Sequence, residues 1–154
     1  MRTSRGFTIL ELIIVIAVIG LMATLAVLSL QSARARTRDA QRISDVTALR
    51  NALTGYWLEK ASYPSSGGVD LGKAGTNTGA LSSAVGGFTD ASQTQGTIYL
   101  PHIPTGPKQN EFYRYKANGN AYSICFQTES DTVLGAANVY CAHSNGIDNE
   151  DTEK

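Results

Sequence analysis

Few residues of this 154-residue chain have the types and spacing to do chemistry, and the most conspicuous is a carboxylate in an apolar run. Glu11 lies inside GFTILELIIVIAVIGLMATLAVLSL, residues 6–30, and is the only charge from Phe7 to Leu30. A carboxylate at bilayer depth costs on the order of a few kcal/mol and marks a functional position by default. Cys125 and Cys141 are the only cysteines. No His or further Cys stands beside them at metal-ligand spacing, so they read as a disulfide made in an oxidising compartment. His102 and His143 are the only histidines. No motif sets a serine, cysteine or acid beside either as a base partner, so both read as surface loop residues and no enzyme is expected. Asp148, Glu150 and Asp151 fit the spacing of no calcium loop and read as a solvated charged end. No metal and no cofactor is expected.

The elements that position these residues begin with the apolar run. Its 24 residues from Phe7 to Leu30 contain no proline. As a helix they extend roughly 36 Å, enough to cross a hydrocarbon core of about 30 Å. A cleaved secretory signal would have an apolar core of about 7 to 15 residues. Although Ala33–Ala35 imitates a small-residue cleavage site, this run is too long and opens with a carboxylate, so a membrane helix is expected. Residues 1–60 carry eight basic side chains and four acidic ones, so in a neutral chain the remainder must hold the opposite balance. RARTRDAQR, within that basic front, has no interleaved aromatic residue. It reads as a headgroup-facing or solvated helix face, and no nucleic acid is expected as a partner. The arginines at 34, 36, 38 and 42 outnumber Arg2 and Arg5, which by itself would put the C-terminal side in the cytoplasm. The cysteines argue for the outside.

The helix continues beyond the apolar run. Ile43, Val46, Leu49, Leu53, Tyr56 and Trp57 recur at steps of three and four, which makes an amphipathic second half over residues 31–62. Tyr63-Pro64 and the serines and glycines after it stop the helix. Residues 63–110 read as a connecting loop with a short helix around Ala80 to Val85 and a proline-rich segment, YLPHIPTGPK. Two alternating runs flank Asn118-Gly119, a strong hairpin signal. A two-residue turn there sets 117 opposite 120 and 115 opposite 122, which places Tyr113, Tyr115, Tyr122, Ile124 and Phe126 on one face. With AANVYCA they form a small antiparallel three-stranded sheet over 111–142, and 143–154 trails off as an acidic tail. The expected fold is therefore α+β, one long N-terminal helix packed on that sheet. By parity Cys125 lies opposite Ile124 and Phe126, so a bond to Cys141 sits on the outer face or needs a bulge.

RGFTILELIIVIAVIGLMATLA resembles the N-terminal segment of type IV prepilins and of the pseudopilins of type II secretion. A short basic leader ends in Gly6, then come Phe7, Thr8, a glutamate fifth after the glycine, and an unbroken apolar helix. RTRDAQRISDVTALRNALTGYWLEKASYP is similar to the second helix half, and YLPHIPTGPK to the loop of the major-pseudopilin branch. The resemblance implies a pilin-like fold and a definite life cycle. A prepilin peptidase cleaves the 1–6 leader between Gly6 and Phe7 and methylates the new amino terminus of Phe7. The subunit, its 7–30 half in the cytoplasmic membrane and its leader inside, then joins identical subunits at a membrane assembly platform. The product is an extracellular or periplasmic filament with Phe7 and Glu11 at its assembly contacts. The expected function is thus a structural subunit of a type IV pilus-like filament, with the major pseudopilin of a type II secretion system as the alternative. A membrane-anchored binding domain that never polymerises is disfavoured by Glu11, from which a plain anchor gains nothing. Leu28 stands where many members have a proline, and Gly106 where the proline loop commonly has an aspartate. The branch's calcium site is not carried over.

Overall fold

The computed structural model describes residues 6–154, so the leader expected over 1–6 lies, apart from Gly6, outside the described residues. Helix α1 spans Ile9–Lys60, 52 residues. No proline falls within it, and its only glycines are Gly20 and Gly55. It ends where Ala61 adopts a positive φ of 52° and donates its N–H to the Trp57 carbonyl at 2.8 Å. The chain divides into two units at Ala35. In the first, every described side chain as far as Arg34 is exposed, including the whole of the most apolar 18-residue window. That stretch is long and apolar enough to cross a membrane.

The second unit, Arg36–Lys154, packs the later turns of α1 on antiparallel sheet. The strands are β1 (Ser66–Leu71), β2 (Ala80–Ser82), β3 (Phe88–Thr89), β4 (Ile98–Leu100), β5 (Tyr113–Ala117), β6 (Tyr122–Gln127), β7 (Val139–Ala142) and β8 (Ile147–Asp148). Five of them form one sheet in the order β1-β5-β6-β7-β8, and the other three form a second in the order β3-β2-β4. The expected three-stranded sheet is therefore only the centre of a five-stranded one. Its edges escape pattern reading for physical reasons. β1 contains Gly67 and Gly68 and a register irregularity, so it shows no alternation, and β8 has two residues. The short helix expected around Ala80 to Val85 is absent: Ala80, Leu81 and Ser82 form the fully buried β2, pairing with β3 and β4.

The hairpin register also differs. Ala117 faces Tyr122 and Tyr115 faces Ile124, so residues 118–121 form a four-residue loop rather than a two-residue turn. Asn118 Oδ1 accepts the N–H groups of Asn120 and Ala121, each at 3.0 Å, and Gly119 takes a φ of 93°. Because the shift is by two residues, side-chain parity is unchanged. Tyr113, Tyr115, Tyr122, Ile124 and Phe126 are all buried, in one cluster with Val46, Leu49, Leu53 and Tyr56 of the helix stripe. Ile43 and Trp57 sit at its margin, partly buried. The tyrosines keep their hydroxyls satisfied: Tyr115 donates to the Pro64 carbonyl at 2.9 Å, and Tyr113 to Asp45 at 2.7 Å.

Candidate functional site

In the first unit, Thr8 precedes the first helical residue and Glu11 is the third residue of the helix. Thr8 Oγ1 accepts the Glu11 N–H at 3.2 Å. Thr-x-x-Glu is the pattern of a capping box, and Phe7 and Leu12 occupy the positions of the hydrophobic staple that accompanies it. This is the residue role that the motif's spelling could have announced and that reading Glu11 alone misses: Thr8 is a helix cap. It also moves Phe7. The residue stands before α1 rather than in it, and is 82% exposed. Among the described residues every ion pair falls at or beyond Arg38, so Glu11 has no cationic partner there. Its carboxylate sits at a helix N-terminus, where the backbone dipole favours negative charge.

The second unit holds a cluster of charges that the composition does not reveal. Asp39 and Arg42, expected on a solvated or headgroup-facing helix face, are almost wholly buried. Arg42 forms a two-pronged pair with Glu111, at 2.6 and 2.9 Å, and reaches Asp39 at 2.7 Å and Glu129 at 2.6 Å. Glu129 also takes both prongs of Arg38, at 2.9 and 2.7 Å, and Lys108 at 2.8 Å. Asp39 accepts the backbone N–H groups of Glu129 and Ser130 and, at 2.6 Å, the Ser130 hydroxyl. The cluster therefore fastens two loops to the helix, the one before β5 and the one after β6. Burial alone would raise the Asp39 carboxyl, but the bonds from Ser130, Glu129 and Arg42 outweigh it and hold it below the ordinary value. Arg38, aided by Lys108 and Arg42 against partial burial, holds Glu129 far lower. Burial works against the Arg42 charge too, and its carboxylates more than offset that.

Gly106 belongs to the same cluster. A Cβ at this position would lie 2.4 Å from Glu111 Cγ. The aspartate common at this point of the resembling family would thus displace the side chain that pairs with Arg42. A groove of about 830 Å³ runs beside the cluster, with Lys108, Phe112, Phe126 and Val139 among its walls. No histidine lines it, and its one cysteine is bonded to another.

Cys125 and Cys141 form the expected disulfide. They face each other directly across β6 and β7 with no bulge, so the bond takes the face away from Ile124 and Phe126. Of the two histidines, His102 is exposed as expected, but His143 is wholly buried. Its Nδ1 lies 3.1 Å from the Tyr122 carbonyl and its Nε2 3.0 Å from Asp148. Residues 143–154 are not a trailing tail either. They include β8 and fold back, with Lys154 held 2.8 Å from Asp148. The order of this segment leaves no periodic pattern, because its ties are mainly polar and some reach distant strands, as Asp151 does to Lys116 and Ser123.

Residues 1–27 match the prokaryotic N-terminal methylation motif. The chain is similar to the type II secretion system core protein G of Escherichia coli K12, 42% identical over 60 residues, which are 39% of this chain and 41% of that protein. It is similar to the core protein G of Vibrio cholerae over a longer stretch, 29% identical across 124 residues, 80% of this chain and 78% of the relative. A fimbrial protein of Pseudomonas aeruginosa is 39% identical over 66 residues, 43% of each chain. The chain thus spans about two-fifths of the first and third of these relatives and over three-quarters of the second. No solved structure matches it. With the motif intact at its front and relatives of both kinds behind it, the chain is similar to the type IV prepilins and the pseudopilins of type II secretion, as residues 1–64 imply.

Proposed function

We propose that this chain is a structural subunit of a type IV pilus-like filament, processed by prepilin peptidase and polymerised through its N-terminal helix. In this reading residues 1–6 are the cleaved leader, 7–30 the membrane-spanning and later filament-core helix half, and the rest an external head. The precursor sits in the cytoplasmic membrane with its leader inside, and the assembled form is extracellular or periplasmic. Its partners are the peptidase, a membrane assembly platform and further copies of itself. The observation that carries the proposal is Glu11, an exposed carboxylate at the capped start of an exposed apolar helix, without a cationic partner among the described residues. Cleavage after Gly6 creates one, the amino group of Phe7. In a lone subunit both charges reach the membrane interface and gain little from each other. In a filament core the pair at about 4 Å is worth up to roughly 4 kcal/mol at an effective dielectric near 20. A neighbour shifted along the axis until its Phe7 amine meets Glu11 would then be in register, as a buried polar residue fixes a coiled coil.

The cap gives this proposal a sharp test. Glutamine serves the third helical position of a capping box as glutamate does, but carries no charge. Glu11→Gln and Glu11→Ala are both expected to be inserted and cleaved, and neither to polymerise. Filaments at wild-type yield from Glu11→Gln would reduce Glu11 to a cap and remove the charge pair from assembly. The major pseudopilin of a type II secretion system, driving protein export, is the second reading. It is favoured by the length of the similarity to the Vibrio cholerae core protein G, and it requires the same assembly chemistry.

A further inference from the structure

The C-terminal residues have no part in the filament reading, yet they are tied down at several points. The His143 N–H donates to the Gly146 carbonyl at 2.8 Å, which turns the chain back so that β8 pairs with β7, Cys141 opposite Asp148. Lys154 holds Asp148 at 2.8 Å and also pairs with Glu150, and Ser144 Oγ donates to the Lys154 carbonyl at 3.0 Å. Between these ties the segment crosses the outer face of the sheet. Asp151 pairs with Lys116, accepts the Ser123 hydroxyl at 3.2 Å, and sets the same oxygen, Oδ1, 3.2 Å from Cys125 Sγ. A disulfide sulfur has no proton to donate, so this last approach is a contact and not a hydrogen bond. Cys141 is buried, 1% exposed, and only Cys125 is partly open.

We propose that residues 143–154 are a strap that guards the disulfide, with the Asp151 carboxylate posted at the one sulfur a thiol can reach. Reduction starts when a thiolate attacks Cys125 Sγ, forming a mixed disulfide and expelling Cys141 as a thiolate. A second thiolate then attacks the mixed disulfide and frees Cys125, leaving two protein thiols and one oxidised reagent. Attack on Cys141 first is closed by burial. At Cys125 the incoming negative sulfur meets a fixed negative charge, which Lys116 keeps ionised by holding the Asp151 carboxyl below its ordinary value. The Asp151 charge, about 5 Å from the incoming sulfur in water, contributes a repulsion that slows the step about four-fold, a share that the Lys116 ammonium offsets in part and that Asp151→Asn removes. The guard acts on the monomeric chain, so its failure leaves the filament reading untouched.

The test is the rate of disulfide reduction in the full chain, held in nonionic detergent. It compares glutathione, which is negatively charged, with cysteamine, whose ammonium offsets its thiolate. Asp151→Asn is expected to speed glutathione about four-fold and leave cysteamine within about two-fold, with the difference vanishing in 1 M salt, where the screening length is about 3 Å. Lys154→Gln loosens the strap without touching either sulfur and is expected to speed both reagents. Unchanged glutathione rates in both variants would overturn the proposal, as would an equal acceleration of both reagents by Asp151→Asn.

Discussion

Residues 6–35 and residues 36–154 treat the same kinds of side chain in opposite ways. In the first unit Ile, Leu and Val side chains from Ile9 to Leu30 stand 45–80% exposed, and the lone carboxylate among them has no ion-pair partner among the described residues. In the second unit the large apolar residues are mostly buried, and so are two charges, Asp39 and Arg42, at 1% and 2% exposure. The second arrangement is self-sufficient, since buried charges persist only when paired and hydrogen-bonded. The first is not. An apolar surface of that extent needs lipid or other helices around it, and the proposed function gives its one charge a partner in the Phe7 amine. The difference separates a unit that completes itself from a segment that, under the proposed function, assembly would complete.

The self-sufficiency of the second unit depends most on Arg42. Removing one member of a buried ion pair costs about 3–5 kcal/mol, because the carboxylates left behind are uncompensated. Arg42→Ala is therefore expected to lower the urea midpoint of the second unit sharply, measured by tyrosine fluorescence in detergent, while the helicity of residues 9–30 is unchanged. Acid attacks the same place. The Asp39 and Glu129 carboxyls lie below their ordinary values when folded, so their stabilisation is complete above about pH 4 and is lost as the pH falls through the folded values. Asp45, raised by burial against its bond from Tyr113, works weakly in the opposite sense. A urea midpoint that does not fall between pH 7 and pH 3 would contradict the account of the cluster.

The next effect is that of the disulfide. Its sulfurs close a loop with a sequence separation of 16, for which the chain-entropy relation gives about 3 kcal/mol. Cys125→Ser is expected to lower the melting temperature of the second unit clearly and leave membrane insertion unaffected. The smallest effect is at Thr8, where losing the cap costs about 1 kcal/mol. Thr8→Val is expected to speed amide exchange at Leu10 and Glu11 in micelles without moving the melting temperature, and equal exchange would mean that the cap contributes nothing there.

Apart from the disulfide, which its two cysteines declare, what is legible in the sequence is what has a period. The apolar run, the stripe at Val46, Leu49, Leu53 and Tyr56, and the alternation of Tyr113 through Phe126 each announce an element and the face it buries. The hairpin's parity survived even though its turn has four residues, because a two-residue shift returns every side chain to its face. What could not be read depends on partners far away in the chain. Arg42 looks like any solvated arginine until Glu111 and Glu129, 69 and 87 positions later, are seen around it. β1 and β8 lack alternation, and the burial of His143 is understood from its ring contacts with Tyr122 and Asp148, which no local pattern announces. Thr8 differs from these, because its cap is spelled locally by Thr-x-x-Glu and needs no distant partner.

Processing and assembly of the first unit, as proposed, are read in the mass of the chain in filaments sheared from the producing cells. The expected subunit begins at Phe7 and carries one methyl group on its amino terminus. A chain beginning at Met1, or one cut after Ala33 or Ala35, would contradict it.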